Sequence, residues 1–485
     1  MFWTHRTAFH YFIYSEKDRQ GLYNRKMKFH ITAISGTATA SLAYILLEEG
    51  HSVTGSDRNF YPPMGDFVRS LPIELFQGFF RENIDRVLPL DAVIAGNYAS
   101  PANPEIERAI ELGLQIYSMP EALFHFAMRG KKRIVIAGTH GKTTTTSMMA
   151  WAMEVAELKP GFLIGGMPLN FKTSGRSGRE WFVVEGDEYE TSFFDKGPKF
   201  VHYFPNYLVL GPVEMDHFDI YGSLEEIKRN FSLLVSMVPS SGLIISFDSP
   251  INREILERAR AKVVIYPSET INYKNLILRE NSMSFKLKIG AHEHSFSNSH
   301  LSGSLMALNF LPVAYLLTEI GIDIPTLKRS FAEFKGIKRR MELLGEKKDL
   351  YFFTDFAHHP TALSANLKDI RKRFEGWKII AILEPASWSM RSNLFQNVLP
   401  ASLREADVTI IAPPPPGPLK KGEPLNRKAL CKDLTKMHRE CQVPANWEDI
   451  YKKLPDIIDE KAVVILFSNG NIKEKVDNLK LSLGL

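Results

Sequence analysis

The sequence predicts an α/β protein of three successive domains, and three observations carry that prediction. Apolar, strand-like runs alternate with helical stretches from residue 27 to the end, the pattern of parallel strands joined by crossover helices. The length of 485 residues exceeds one domain and suits about three at roughly 100–200 residues each. A turn containing glycine follows a strand twice, at Ser35-Gly36-Thr37 and at Gly138-Thr139-His140-Gly141-Lys142-Thr143-Thr144. Such turns are where α/β sheets meet phosphates. The expected domains are 27–130, 131–336 and 337–485.

Composition narrows the class. Hydrophobic content of 44% and charged content of 24% are those of an ordinary globular chain. A net charge of +5 from 60 basic and 55 acidic residues argues against a nucleic-acid-binding stripe and allows only local basic pockets. No apolar run approaches the roughly 20 residues that span a bilayer, so no membrane insertion is expected. Cys431 and Cys441 are the only cysteines, too few to frame a secreted disulfide protein, and a reducing cytoplasm is the simpler expectation. Residues 1–26 are aromatic and basic without a clean signal-peptide core. They read either as an extension or as a misassigned start, with Met27 the true one.

The first domain opens with a strand at 29–34, a helix ending near Glu49-Gly50 and a second strand at 51–57. In this βαβ unit the turn at Gly36 would face a phosphate, and Asp57, 21 residues later, a ribose. Ala33 and Ala40 occupy places where glycines would allow the closest backbone approach. The second domain begins with a strand at 131–137, the loop at Gly138 and a helix over about 144–157. Strands at 181–185, 207–210 and 242–246 then predict a doubly wound parallel sheet continuing to about Phe334. The third domain repeats the alternation, with strands at 351–353, 377–383, 407–411 and 462–467. Pro413-Pro414-Pro415-Pro416 reads as a strand-end loop.

The loop at Gly138 carries the clearest chemistry. Its glycines allow backbone N–H groups to turn around phosphate, Lys142 supplies a cation, and Thr143 or Thr144 a hydroxyl for Mg²⁺. The full spacing of a phosphate loop requires glycine at position 136, which is Ile136, so the loop is a shortened variant. Glu185 and Glu188 follow the strand at 181–185, and Glu214-Met215-Asp216-His217 follows the strand at 207–210. Carboxylates at strand ends face the same crevice as the phosphate loop, where Glu185 is suited to a metal bridging nucleotide phosphates and His217 to a second.

Gly-Thr-His-Gly-Lys-Thr-Thr, Glu185-Gly186-Asp187-Glu188-Tyr189, Glu214-Met215-Asp216-His217 and Asp355-Phe356-Ala357-His358-His359-Pro360-Thr361, in that order, resemble the signature of the Mur ligases over residues 27–485. The resemblance implies an amino-terminal Rossmann-like domain for a UDP-sugar, a central phosphate-loop ATPase-like domain and a Rossmann-like carboxy-terminal domain for the incoming peptide. Tyr61-Pro62-Pro63-Met64, Phe193-Phe194-Asp195-Lys196 and Leu383-Glu384-Pro385 are most similar to the peptidoglycan-recycling branch. That branch joins UDP-N-acetylmuramate to L-Ala-γ-D-Glu-meso-diaminopimelate through an acyl phosphate, with ATP and Mg²⁺.

By the same resemblance, Lys142, His217 and Arg340 would be catalytic, and Thr143, Glu185 and His217 would hold metal. Residues 138–144, Asn309 and Asp355 would bind nucleotide, and Gly36, Asp57, Glu188 and His359 substrate. The partners implied are small molecules, and the chain would be a monomer or weak homodimer.

Four places depart from the family's pattern. Gly211-Pro212 replaces an asparagine-containing pair, and proline removes a backbone donor. Leu305-Met306 replaces the adenine-contacting His-Asn, leaving Asn309. Ala386 stands where the branch has arginine, with Arg391 as a possible substitute. Asn471-Ile472-Lys473 replaces a glycine-rich continuation. Two alternatives stay open: a UDP-N-acetylmuramate:L-alanine ligase, and a paralogue that binds muramyl nucleotides without ligating them.

Overall fold

A computed structural model describes residues 25–61, 63–96, 99–215, 221–419, 422–458 and 461–485. The described chain forms two compact units, one comprising residues up to 131 with 175–177 and 190–197, the other the remainder. No helix among the described residues is long and apolar enough to cross a membrane.

In the first unit, β1 (Lys28–Thr32), α1 (Thr37–Glu48), β2 (Ser52–Asp57) and β3 (Glu74–Gln77) are followed by α2 (Arg81–Val87). Then come β4 (Ala92–Ala95), α3 (Pro104–Glu111) and β5 (Gln115–Ser118). The strands pair in parallel in the order β3-β2-β1-β4-β5, the order of a mononucleotide-binding half. Ala33 takes a left-handed φ of 60°, so the turn is made without glycine at the cost of local strain. Phe193 and Phe194 pack on the cluster of Phe76, Ile84, Val93 and Ile106, which accounts for residues 190–197 joining this unit.

The second unit contains two largely parallel sheets. The first is built from β6 (Lys132–Ala137), β7 (Gly161–Leu163), β8 (Trp181–Gly186), β9 (Tyr207–Leu210), β10 (Leu243–Phe247) and β11 (Lys262–Tyr266). They lie side by side as β11-β10-β9-β6-β8-β7, all parallel. Between β6 and β7 runs α4 (Lys142–Val155), with Met148, Met149, Ala152 and Met153 in the core. The expected continuation of this parallel sheet is interrupted. β12 (Ile271–Leu278), β13 (Met283–Ile289) and β14 (His292–Asn298) form a separate antiparallel sheet. Its reason is period two: Met283, Phe285 and Leu287 are buried while Lys286 and Glu293 face outward. α5 (Ser304–Glu319) follows.

The last sheet comprises β15 (Glu342–Lys347), β16 (Leu350–Asp355), β17 (Lys378–Leu383), β18 (Val408–Ile411), β19 (Glu440–Gln442) and β20 (Ala462–Phe467). Its order is β15-β16-β20-β17-β18-β19, antiparallel only at β15. α6 (Pro360–Arg373) starts at the N-cap His359 with proline in its first turn. Residues 413–415 lie in irregular structure after β18. Cys431 and Cys441 are joined as a disulfide with Cα atoms 5.4 Å apart.

Candidate active site

The phosphate loop joins β6 to α4. Gly138 has φ 128° and Gly141, the N-cap of α4, has φ 79°, backbone that L side chains adopt only with strain. Crowding excludes side chains as well. A Cβ on Gly138 would lie 2.9 Å from the Gly211 backbone, and one on Gly141 would lie 2.6 Å from Asn309 Oδ1. Gly211 N–H donates to the Ala137 carbonyl and Thr139 N–H to the Pro212 carbonyl, both at 2.8 Å, while Glu214 N–H donates to Thr139 Oγ1 at 2.9 Å. Gly211-Pro212 therefore supports the loop with a bare Cα and a carbonyl, neither of which a proline ring disturbs. With no side-chain cap at the α4 N-terminus, its free N–H groups and dipole are available to an anion.

Beside the loop, the end of β8 presents three carboxylates. Lys142 Nζ donates to the Gly138 carbonyl at 2.7 Å and to Glu188 at 2.8 Å. Burial opposes its charge, but Glu188 and Asp187 outweigh burial and raise its pKa. Thr143 Oγ1 donates to Glu185 Oε2 at 3.0 Å, and Gly165 N–H to Glu185 Oε1 at 2.5 Å. Burial, reinforced by Asp187, pushes the Glu185 carboxyl up to about 7. A carboxylate so short of positive charge, bonded to a threonine hydroxyl at a helix start, has the donor set that suits Mg²⁺.

The carboxy-terminal region contributes a second group of residues. Glu214 Oε2 lies 3.2 Å from His140 Nε2 and 3.5 Å from His359 Nδ1, and accepts from Thr361 Oγ1 at 2.9 Å. The His140 hydrogen bond, working against burial, holds Glu214 down at about 2. Asp355 is buried at the end of β16 and accepts from Met341 and Ala357 N–H, each at 2.7 Å. Arg340 lies 4.9 Å over the Phe356 ring and lines a cavity of about 200 Å³ with Ser302, Met306, Ile337, Phe353 and Arg373. The replacement residue Met306 thus forms part of that wall.

Glu384 is buried against Ser468 Oγ and Lys475 Nζ. Beside it, Ala386 lies 3.1 Å from where a Gly470 Cβ would stand. Arg391 donates to the Gly417 carbonyl, so it is engaged with the loop after β18.

Three profiles of one family match the chain in succession: the Mur ligase family catalytic domain over residues 28–131, the Mur ligase middle domain over 136–317, and the Mur ligase glutamate ligase domain over 339–470. The UDP-N-acetylmuramate–L-alanyl-γ-D-glutamyl-meso-2,6-diaminoheptandioate ligase of Escherichia coli (strain K12) is 34% identical, covering 92% of this chain and 95% of its own. This chain belongs to the Mur ligase family. A murein peptide ligase from Psychrobacter arcticus 273-4 superposes with a TM-score of 0.67 at 30% identity, over 94% of this chain and 99% of that one. The UDP-N-acetylmuramate–L-alanine ligase of a Sulfurihydrogenibium species is 29% identical, covering 93% and 97%.

In this Mur ligase the second unit brings together residues 138–144, Glu185, Glu188 and Asn309 around one loop. Asp355 ends β16 of the carboxy-terminal sheet, Arg340 lies in the loop before β15, and His359 caps α6 against Glu214. Gly36 and Asp57 belong to the first unit, where Gly36 is the N-cap of α1 and Asp57 accepts from Ser35 N–H at 2.9 Å. His217 lies outside the described residues. Sequence reasoning placed Glu214 in a motif without giving it a role, and gave none to Gly165, whose N–H fixes Glu185. The paired glycines Gly165-Gly166 were the available signal, since a Cβ on Gly165 would lie 2.9 Å from the Glu185 carboxylate.

Proposed function

We propose that this Mur ligase joins UDP-N-acetylmuramate to the tripeptide L-Ala-γ-D-Glu-meso-diaminopimelate in an ATP-dependent step of peptidoglycan recycling. The observation that carries the reading is the phosphate loop, with Thr143 Oγ1 3.0 Å from Glu185 and Lys142 held at its mouth. The substrate choice rests on the 34% identity to the E. coli ligase over nearly the whole of both chains.

The chemistry needs two anions, the muramyl carboxylate and the γ-phosphate, to approach one another. Lys142 and the α4 N-terminus bind the phosphates and lower that repulsion. Thr143 and Glu185 would hold one Mg²⁺, and by family resemblance His217 would join Glu185 at a second; the ions would supply charge neutralisation at the phosphates. Glu188 keeps Lys142 extended into the loop until phosphate replaces it. Arg340 is assigned as a further catalytic cation, Asp355 to the nucleotide and His359 to the nucleotide or peptide. The phosphoryl group passes to the lactyl carboxylate, and the peptide amine then displaces phosphate to form the amide.

Phosphate release from ATP with UDP-N-acetylmuramate, comparing the tripeptide with L-alanine, tests the proposal. Release with tripeptide and ligated product by mass spectrometry are expected. Product with L-alanine alone moves the chain to the alanine-ligase reading. Tight binding of the muramyl nucleotide with no turnover for either amine moves it to a non-catalytic paralogue.

A further inference from the structure

Apart from the carboxylates around Lys142, the described residues bring one set of metal-ligating side chains together from three segments distant in sequence. His140 comes from the phosphate loop, Glu214 from the segment after β9, and His359 from the start of α6. One atom of each lies within 4.8 Å of the others.

Two of the three ligand separations match those of a bound ion, while the three atoms together lie within 4.8 Å, so the two imidazoles must draw closer on binding. With bonds of about 2.0–2.1 Å, two ligands of a tetrahedral ion stand roughly 3.3 Å apart. His140 Nε2 and His359 Nδ1 stand 3.2 and 3.5 Å from Glu214 Oε2, so two edges of such a tetrahedron already have the required length. The protonation pattern points the same way. His359 Nδ1 accepts from Thr361 N–H at 3.4 Å, as the N-cap of α6. A nitrogen that accepts there carries no proton, and because that contact is long its single lone pair is available to a cation that displaces the Thr361 N–H beside Glu214. The surroundings hold the ligands in place. Thr361 Oγ1 donates to the same carboxylate at 2.9 Å, and the His359 ring meets the Phe395 ring edge-on at 5.1 Å, a hydroxyl and an aromatic wall of the kind that orient metal ligands.

We infer that His140, Glu214 and His359 form a three-ligand site for a borderline divalent transition ion, of the class of Zn²⁺ and Co²⁺, that clasps the phosphate loop to the carboxy-terminal segment. Two imidazoles among three donors select that class over Mg²⁺, which prefers oxygen. Three protein ligands leave a fourth position open to water or an oxyanion. The site shares no ligand with the Thr143–Glu185 pair, and an ion here would fix His140 of the loop to α6.

The test uses the full-length protein stripped of metal by a chelator and titrated with Co²⁺, read by the visible absorption of the bound ion and by displacement with Zn²⁺. About one ion per chain is expected. Glu214→Gln and His359→Ala should each weaken binding by about 100-fold or more, beyond the loss typical of a supporting residue. The double variant Thr143→Ala/Glu185→Gln should retain it. Absence of saturable binding overturns the inference, as does binding lost in the Thr143/Glu185 variant but kept in Glu214→Gln and His359→Ala. Should the single variants unfold, Zn²⁺ protection of His140 and His359 from diethyl pyrocarbonate in the wild-type chain decides: protection supports the site, and unchanged modification rates overturn it.

Discussion

Gly138 shows how few atoms the phosphate loop tolerates. With φ 128° and the Gly211 backbone 2.9 Å from any Cβ, Gly138→Ala must move either the loop or the strand end behind it. A loss of about 1–3 kcal/mol is expected, together with loss of ATP binding, by thermal melting and calorimetric titration; a variant that still binds ATP normally would show that the loop does not hold the phosphates. Lys142 makes the complementary case. Lys142→Ala removes the cation aimed at phosphate, and turnover should fall about 10²–10³-fold. It also removes the ion pair that Lys142 makes with the buried Glu188 carboxylate, so stability should fall as well. Adding Glu188→Gln should restore the melting temperature without restoring turnover, and recovery of both together would contradict the role given to Lys142. The loop was legible in the sequence because its residues are contiguous. Its supports were not: Gly211, Pro212 and Asn309 act through contacts of bare backbone, a carbonyl and an amide, from about 70 to 170 positions away. From sequence alone, Gly211-Pro212 reads as a donor lost.

At the scale of elements, Glu105 of α3 ties the carboxyl ends of β1 and β2 to α2. Fully buried, it accepts from Thr32 Oγ1 at 2.9 Å, Ser56 Oγ at 2.6 Å and Asn83 Nδ2 at 2.7 Å, with His30 Nε2 at 3.5 Å. Burial pushes its pKa up, but His30, Asn83 and Ser56 together outweigh burial, and the net shift is below the ordinary carboxylate value. A depressed folded pKa means the unfolded chain binds the proton more readily, so stability rises with pH here. Its contribution is complete above the unfolded pKa of about 4.3 and is lost as pH falls through the folded value. Glu105→Gln should therefore flatten the acid limb of melting temperature against pH and cost about 1–3 kcal/mol at neutral pH. An unchanged acid limb would remove Glu105 from the account. The strands of both mononucleotide-like sheets were legible because buried parallel strands are uniformly apolar. β12, β13 and β14 were misread because their alternation marks strands buried on one face but does not say which neighbour each one pairs with.

The coupling between the central and carboxy-terminal sheets is a property of the second unit as a whole, and α6 shows how it is built. Asp369 and Arg373 are four residues apart on one face of α6. Asp369 accepts from Ser304 N–H at 2.6 Å and Ser304 Oγ at 2.8 Å, and so caps α5 from another sheet's helix. Arg373 donates to the Ser302 carbonyl at 3.1 Å and to the Glu280 carbonyl between β12 and β13, with its guanidinium 4.9 Å over Phe353. Removing Arg373 takes the donor from the buried Ser302 carbonyl and opens the wall of the cavity that Met306 and Arg340 share. Asp369→Ala with Arg373→Ala should lower stability by about 2–4 kcal/mol. In calorimetry the variant should split the melting of residues 131–336 from that of 337–485, and hydrogen exchange should rise in β12, β13 and α6 while the β6 and β9 cores stay protected. A uniform loss of protection throughout both sheets would mean that these two residues stabilise the fold generally. Selective loss means that α6 docking is the joint about which the two sheets move, and that the arrangement of His359 and Asp355 against the phosphate loop depends on it.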